Sequence, residues 1–176
     1  MASSFTAYDN GIGFANTFRL LFKRTNLQAL MEHGTYIDGT LIMPTVINGA
    51  LACELFLKAL LTNPPKTHSI IKLLDEVEKA EPGIKQLLEN SCIDCMHKKK
   101  NAPKYDHSEY EKDLGRIDHA FDSLRYWHEP KKDAAQPDPV FNLGFLDVFI
   151  ALLEGICKYK YGPRPLPQDE KQYNLQ

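Results

Sequence analysis

Residues 44–62, PTVINGALACELFLKALLT, place apolar side chains at nearly every position of a helix. At 3.6 residues per turn these side chains point in almost all directions, which is typical of a helix that other helices surround. Pro44 suits the first turn of such a helix, and the prolines at 64 and 65 stop it. The pattern therefore predicts a central helix around which the rest of the chain packs.

The segment before the central helix shows one further helical pattern. Its spacing predicts a helix over residues 16–32, capped at its start by an asparagine or a threonine. Residues 1–14 are expected to be irregular because Gly11 and Gly13 interrupt any pattern. Residues 34–43 are expected to form the connection to the central helix, with an Asp-Gly pair as its turn signal.

The segment after the central helix alternates helical patterns with polar loops. Two short helices are predicted, the first opening at Thr67 and the second at IKQLLEN, residues 84–90. Residues 92–104 are expected to form a loop. Residues 106–129 then carry a continuous apolar stripe at alternating steps of four and three, which predicts a long helix. After a Pro- and Lys-containing linker, a last apolar helix is predicted over residues 140–161.

These elements define the expected architecture. No stretch shows a convincing strand period, so the chain is predicted to be an all-α bundle of three or four long helices plus short ones. Residues 1–161 are expected to form a single domain. Residues 162–176, GPRPLPQDEKQYNLQ, are expected to be a flexible tail because they cannot bury enough apolar surface to become ordered alone.

Amino-acid composition and net charge exclude several classes of protein. The chain has 176 residues, 43% apolar and 25% charged, which is ordinary for a soluble domain with a core of its own. Its formal net charge of −2 excludes a surface that is basic overall, so any contact with nucleic acid has to come from a local patch. The N-terminus does not resemble a signal peptide, and acidic residues interrupt the apolar residues 140–157. We therefore expect a cytoplasmic protein without a membrane span.

Glu54 is the carboxylate that interrupts the central helix. Lys58 lies one turn later, so an ion pair between these two residues at the edge of the helix is one interpretation. The other is that Glu54 binds a cation from a neighbouring helix, and Arg125 is the candidate because an arginine beside an apolar stripe needs a counter-charge.

Two groups of lysines flank the striped helix. Lys98, Lys99 and Lys100 precede it, and Lys131 and Lys132 follow it. Blocks this short are common on solvated surfaces. If the two groups lie at the same end of the bundle, they would bind phosphates in a salt-dependent way.

Residues 121–129, FDSLRYWHE, concentrate the remaining candidate chemistry. Arg125 has an acid three residues before it and another four residues after it, which favours local salt bridges. His128 continues the apolar stripe, which favours a hydrogen-bonded core histidine. The functional interpretation is that Arg125 and His128 share a groove and meet a phosphate there, with Tyr126 beside them.

Cys92, Cys95 and His97 have half of the spacing of a zinc site. A structural zinc needs four ligands, and the sequence offers no second cysteine pair, so His107 or His119 would have to complete the site. The favoured interpretation is a pair of loop thiols, and no metal and no cofactor are expected.

Three segments together resemble the HEPN superfamily of small helical bundles. ALACELFLKALL at 50–61 resembles the family's central helix, THSIIKLLDEV at 67–77 resembles the segment that follows it, and FDSLRYWHE at 121–129 resembles the end of a later long helix. The resemblance covers about half of the chain. It implies an antiparallel four-helix bundle that commonly forms homodimers.

The same resemblance implies a set of functions. Many HEPN proteins are ribonucleases of phage-defence or toxin–antitoxin systems, and others bind RNA or act as scaffolds. The nuclease members carry an Arg followed by a polar residue and a His four to six residues further on. Here Tyr126 follows Arg125, and only two residues separate Arg125 from His128. We therefore expect a dimeric module that binds RNA, a nucleotide or a protein partner. The alternatives are a metal-independent endoribonuclease that uses Arg125 and His128, and a scaffold or antitoxin-like subunit.

Overall fold

The computed structural model describes residues 4–31, 39–98, 104–118, 120 and 141–163, with side chains described at 4–24, 41–98, 104–118, 120 and 141–163. Within these ranges the secondary structure is helical. The helices are α1 (Ser4–Met31), α2 (Gly39–Leu60), α3 (Ile70–Ala80), α4 (Ile84–His97), α5 (His107–Asp118) and α6 (Leu143–Tyr161). The predicted all-α class is confirmed, and the contacts among the helices fit a bundle of four-helix type with additional short helices.

The central helix is α2, as the sequence predicts. It contacts α1, α3, α5 and α6, and most of its side chains are buried. Its fully buried members include Val46, Ala52, Cys53, Phe56 and Leu57. Because α2 contacts four other helices, its buried face supplies the middle of the core. The opposite stripe, which includes Ile47, Leu51 and Leu55, is only partly buried by the described residues.

Contacts at both ends of α2 fix the directions of its two long neighbours. The hydroxyl of Ser4, at the start of α1, donates to the carbonyl of Leu61 just beyond the end of α2 at 3.2 Å, so α1 runs antiparallel to α2. The thiol of Cys157 donates to the carbonyl of Phe56, and Lys160 donates to the carbonyl of Leu60 at 2.9 Å. Late residues of α6 therefore meet late residues of α2, and these two helices run in the same direction.

Two glycines allow the long helices to approach closely. A Cβ atom at Gly11 of α1 would lie 2.8 Å from the ring of Phe56, and one at Gly49 of α2 would lie 2.5 Å from Leu146 and 2.9 Å from Phe18. The expectation that residues 1–14 are irregular is wrong, because α1 already begins at Ser4 and includes Gly11. At this position the absence of a side chain serves helix packing rather than a turn.

The start of α2 also differs from the prediction. The helix begins at Gly39, so Pro44 lies inside it rather than in its first turn, and residues 39–43 of the expected connection are helical. Proline cannot donate a backbone hydrogen bond to the preceding turn. Side chains next to Pro44 bond to neighbouring carbonyls: the Thr45 hydroxyl donates to Leu41 at 2.6 Å, and the Asn48 amide donates to Pro44 at 2.7 Å.

The loop predicted from residue 92 onward is wrong over its first part, because α4 continues to His97. Cys92 and Met96 lie one turn apart on the same face of α4 and are both buried. The apolar face of IKQLLEN therefore extends through the cysteine pair, and the burial of these two side chains stabilises the additional turns.

The later helices agree with the prediction where they are described. The structure places α5 within the predicted helix 106–129, and α6 begins at Leu143 inside the predicted 140–161. Asn142 caps α6, since its side-chain oxygen accepts from the backbone N–H of Phe145 at 3.1 Å. The predicted tail lies outside the described residues from position 164 onward.

One described helical segment, Leu41–Leu60, is long and apolar enough to cross a membrane by length and composition alone. A core helix passes the same test, and half of this segment is buried inside the bundle.

Glu78 provides a pH-dependent contribution to the turn between α3 and α4. Its carboxylate accepts from the backbone N–H groups of Lys85 at 2.9 Å and Gly83 at 2.8 Å, and these bonds hold the pKa of Glu78 below its ordinary value of 4.5. A carboxylate whose pKa is lowered by folding stabilises the fold above its unfolded pKa, and this contribution is lost as the pH falls.

We therefore expect Glu78→Gln to lower stability at neutral pH and to have a progressively smaller effect as the pH falls from 4.5 through the lower pKa of the folded state, where the wild-type carboxylate also becomes protonated. Urea unfolding at neutral pH and over this acidic range measures the difference. An effect of equal size at all of these pH values would contradict the assignment.

Candidate functional site

The buried carboxylate of Glu54 organises the junction between α2 and α3. Its side chain is only 6% exposed, and its Oε1 atom lies 2.7 Å from Nζ of Lys58. Nδ1 of His68, in the connection that follows α2, lies 3.0 Å from Oε2. The predicted ion pair between Glu54 and Lys58 is confirmed. A second partner, His68, comes from the connection between the helices.

The contact with Glu54 orients the imidazole of His68. In the neutral ring, a hydrogen bond from Nδ1 to a carboxylate places the proton on Nδ1 and makes Nε2 the acceptor. The side chain of His68 is 53% exposed, so the oriented ring is accessible from solvent. A buried carboxylate that orients an accessible imidazole can support proton transfer.

Hydrogen bonds to α3 and α5 fix the chain on the other side of His68. Ser69 caps α3 by accepting from the backbone N–H of Lys72 at 3.1 Å, and its hydroxyl donates to Asp118 of α5 at 2.8 Å. The same carboxylate oxygen of Asp118 accepts from the backbone N–H of Ile71 at 2.7 Å. The start of α3 is therefore bonded to α5, and this fixes the backbone that carries His68.

A shallow depression of about 340 Å³ lies beside this junction. Its lining includes Lys66, Thr67, Lys72, Asp75, Glu76 and Lys79. Lys79 is paired with Glu76 at 2.6 Å, and Asp75 is paired with Lys85 of α4. Lys66 and Lys72 are exposed and have no ion-pair partner among the residues that the structure describes.

We call Lys58, Lys66, His68 and Lys72 the α2–α3 basic surface. Its lysines offer donors to an anion, and the two lysines without a carboxylate partner give up no ion pair when an anion binds. Phosphate groups are the common biological anions that bind such clusters, and their binding weakens as salt is added. The arrangement therefore fits a phosphate-containing ligand.

Asp113 is a second buried carboxylate, and its contacts indicate a structural role. It is 2% exposed and accepts from the hydroxyl of Tyr105 at 2.9 Å, the amide of Asn142 at 2.7 Å and the guanidinium of Arg116 at 3.0 Å. Since Asn142 caps α6, these bonds connect the start of α6 to α5 and to Tyr105 in the segment that precedes α5.

Most of the site residues predicted from the sequence lie outside the described residues. Lys98 is exposed at the end of α4. Outside the described part of the chain are Lys99, Lys100, Arg125, Tyr126, His128, Lys131 and Lys132. The predicted groove of Arg125 and His128, and the predicted pairing of Arg125 with Glu54, stay predictions.

The cysteine pair on α4 points in different directions. Cys92 is fully buried in the core and Cys95 is partly exposed, whereas His97 is exposed. Burial raises the pKa of Cys92 to about 12, which disfavours the thiolate that binds metals. No group of three metal-ligating side chains occurs in the part of the chain that the structure describes.

Lys66, His68 and Lys72 were not predicted as site residues. Glu54 was the feature of the sequence that could have pointed to His68, because a buried carboxylate needs more than one hydrogen-bond donor. His68 lies fourteen positions after Glu54, so local spacing does not reveal the contact. Only the path of the connection between α2 and α3 brings these two side chains together.

Comparisons with protein-family models, with curated proteins and with solved structures find no match to this chain.

Proposed function

We propose that this protein is an HEPN-like helical module that binds RNA or a nucleotide through phosphate contacts at the α2–α3 basic surface. The observation that carries the proposal is the exposure of Lys66 and Lys72, without an acidic partner in the described residues, beside the oriented imidazole of His68. Two of the three segments that resemble HEPN proteins, 50–61 and 67–77, lie on either side of this junction.

The overall charge supports a local contact rather than general adhesion to nucleic acid. With a net charge of −2, the chain as a whole does not attract RNA. RNA binding is therefore expected to depend on a few lysine side chains. The slope of log K against log salt then reports how many phosphates these side chains neutralise.

Fluorescence anisotropy of a labelled single-stranded RNA, measured over a series of salt concentrations, tests the proposal. We expect Lys66→Ala combined with Lys72→Ala to weaken binding and to reduce the slope of log K against log salt by about 1.4, since each phosphate contact contributes about 0.7 for single strands. An unchanged affinity and slope would contradict the proposal.

Lys23→Ala is the matched control. Lys23 is an exposed lysine on α1, five residues beyond Phe18, and Phe18 contacts the middle of α2 at Gly49. Because α1 and α2 are antiparallel, this position is far from the α2–α3 junction. We expect this variant to bind RNA with the wild-type affinity and slope.

The proposal includes a homodimer and a role in a defence or toxin–antitoxin type system in the cytoplasm, as the resemblance implies. Three large apolar side chains are exposed on different helices: Leu20 is 64% exposed, Leu87 57% and Tyr159 95%. Phe145 and Phe149 are fully buried in the core of one chain and are not available for a dimer interface. We expect light scattering at micromolar concentration to give the mass of a dimer, and a monomer mass would remove this part of the proposal.

A metal-independent endoribonuclease that uses Arg125 and His128 is the second candidate. The accessible imidazole of His68, which Glu54 orients, is a separate candidate for the base of such an enzyme, because a histidine of this kind can accept the proton of a ribose hydroxyl. Cleavage of RNA in the presence of a chelator tests this candidate, with His68→Ala and His128→Ala as separate variants. If the protein neither cleaves nor binds RNA, the scaffold or antitoxin-like alternative remains.

A further inference from the structure

One side of α6 presents a continuous apolar face to solvent. Its members follow one another at helical spacing and therefore share one side of the helix: Val148, Ala151, Leu152, Gly155, Ile156 and Tyr159. Ala151 and Gly155 are exposed, and Tyr159 is 95% exposed, whereas the other three are partly buried against the core. A contiguous apolar face, unlike single exposed residues, marks an interaction surface.

Gly155 lies in the middle of this face and leaves open space above the helix. Apart from its immediate neighbours in α6, no atom of the described residues lies within 4 Å of the position that a Cβ atom would take there. Gly11 and Gly49 differ, because a Cβ atom at either position would collide with a side chain of another helix. Packing within one chain therefore does not require the glycine at 155, and the missing side chain allows a second helix to approach closely.

An unpaired acid and an unpaired base lie toward the two ends of this face. Asp147 and Lys158 have no ion-pair or hydrogen-bond partner in the part of the chain that the structure describes. Glu154 and Lys160, the other charged residues of α6, are both paired with residues outside the helix. Asp147 and Lys158 are eleven positions apart, which is about three turns, so they lie on the same flank of α6.

Antiparallel pairing of two such faces brings the opposite charges together. A two-fold axis that lies in the interface, perpendicular to α6, reverses the direction of the helix and keeps each flank on the same side. Asp147 of each copy then lies beside Lys158 of the other, and this pair occurs twice. In a parallel pair the two copies of each residue would instead lie at the same level along the helix, without an opposite charge beside them. The charges therefore fit an antiparallel second copy of this chain.

We infer that α6 forms the interface of a homodimer, in which its apolar face packs antiparallel against the same face of a second copy and Asp147 pairs with Lys158 at both ends. Leu152 of each copy then lies over the open space at Gly155 of the other. The inference rests on the homodimer of the proposed function and adds where the two chains meet. Because both copies use the same surface, the assembly closes at two chains.

Gly155→Gln tests the close approach of the two helices. We expect it to raise the dissociation constant of the dimer about tenfold or more, because a long side chain keeps the helices apart. The helix content of the chain is expected to be unchanged, since the position is open and glutamine is a better helix former than glycine. Sedimentation velocity over a series of protein concentrations measures the dissociation constant.

Gly115→Gln is the matched control. Gly115 is an exposed glycine of α5 with the same open space around it, so the variant adds the same side chain to a different helix. We expect its dimer to dissociate as the wild type does. An unchanged dissociation constant in Gly155→Gln, or equal changes in the two variants, would overturn the inference.

Asp147→Lys and Lys158→Asp test the direction of the pairing. Each substitution alone replaces two attractive pairs with two repulsive ones, so we expect each to raise the dissociation constant about tenfold. An equimolar mixture of the two variants is expected to form a heterodimer with nearly wild-type affinity, because every acid then faces a base again. A mixture that dissociates as readily as the separate variants would contradict the antiparallel arrangement.

The wild-type mass separates failure of this inference from failure of the proposed function. A wild-type chain that stays monomeric would remove the homodimer and the α6 interface together, while RNA binding is decided by its own salt titration. A wild-type dimer that neither Gly155→Gln nor the charge reversals weaken would keep the homodimer and overturn only its assignment to α6.

Discussion

Replacing Leu57 with alanine is expected to lower the unfolding free energy by about 2–5 kcal/mol, whereas Leu55→Ala is expected to cost less than about 1 kcal/mol. Leu57 is fully buried in α2, so its truncation loses apolar burial and leaves a cavity. Leu55 is only partly buried on the same helix, so its truncation leaves no enclosed void. The sequence pattern predicts the same loss for both residues, and the structure separates them.

Urea unfolding of the two variants measures the difference. The pair is well matched, since both substitutions remove the same atoms from the same helix and change its propensity equally. A cost below about 1 kcal/mol for Leu57→Ala would mean that α2 is not the centre of the core. A cost for Leu55→Ala as large as that for Leu57→Ala would show that the outer face of α2 is also covered.

Removing the carboxylate of Asp113 is expected to have the second largest effect. In Asp113→Ala the buried hydroxyl of Tyr105 loses its acceptor, and a buried donor left without a partner costs about 1–3 kcal/mol. The partly buried amide of Asn142 loses the same acceptor and adds a smaller cost. Arg116 is largely exposed and can turn to solvent, so it adds little. We expect a loss of about 2–5 kcal/mol in all.

Two comparisons make this prediction specific. Asp113→Asn keeps one oxygen as an acceptor and is expected to lose less than Asp113→Ala. Glu111→Ala removes a carboxylate from an exposed position of the same helix and is expected to change stability by at most about 0.5 kcal/mol. If Asp113→Ala is as mild as Glu111→Ala in urea unfolding, Asp113 does not connect α5 to α6 as described.

The errors in the predicted helix boundaries have identifiable physical causes. Glycine is a poor helix former, so the pattern began the first helix only at residue 16. The structure begins it at Ser4, and Gly11 lies where a side chain would collide with the ring of Phe56. Pro44 favoured a helix start by local preference, but α2 already begins at Gly39. In both cases the information lies in tertiary contacts that a local pattern does not contain.

In the candidate site, the sequence predicted only the contact between residues that lie close together along the chain. Lys58 lies four residues after Glu54 on one helix, and that spacing alone predicted their contact. His68 reaches the same carboxylate across a connection whose path no local pattern specifies. The hydroxyl of Tyr110 has no hydrogen-bond partner among the described residues, and this was hidden in the same way, since its position on an apolar stripe predicted only its burial.

The parallel arrangement of α2 and α6 has a consequence for synthesis of the chain on the ribosome. Phe56 meets Cys157 across 101 positions, so part of α2 lacks its native neighbour until almost the whole domain has been translated. At about 5–20 residues per second, this interval lasts roughly 5–20 s. A hairpin of α1 and α2 can form earlier, but it exposes the apolar face that α6 later covers. Nascent chains halted before α6 should therefore be targets for chaperones that bind exposed apolar segments.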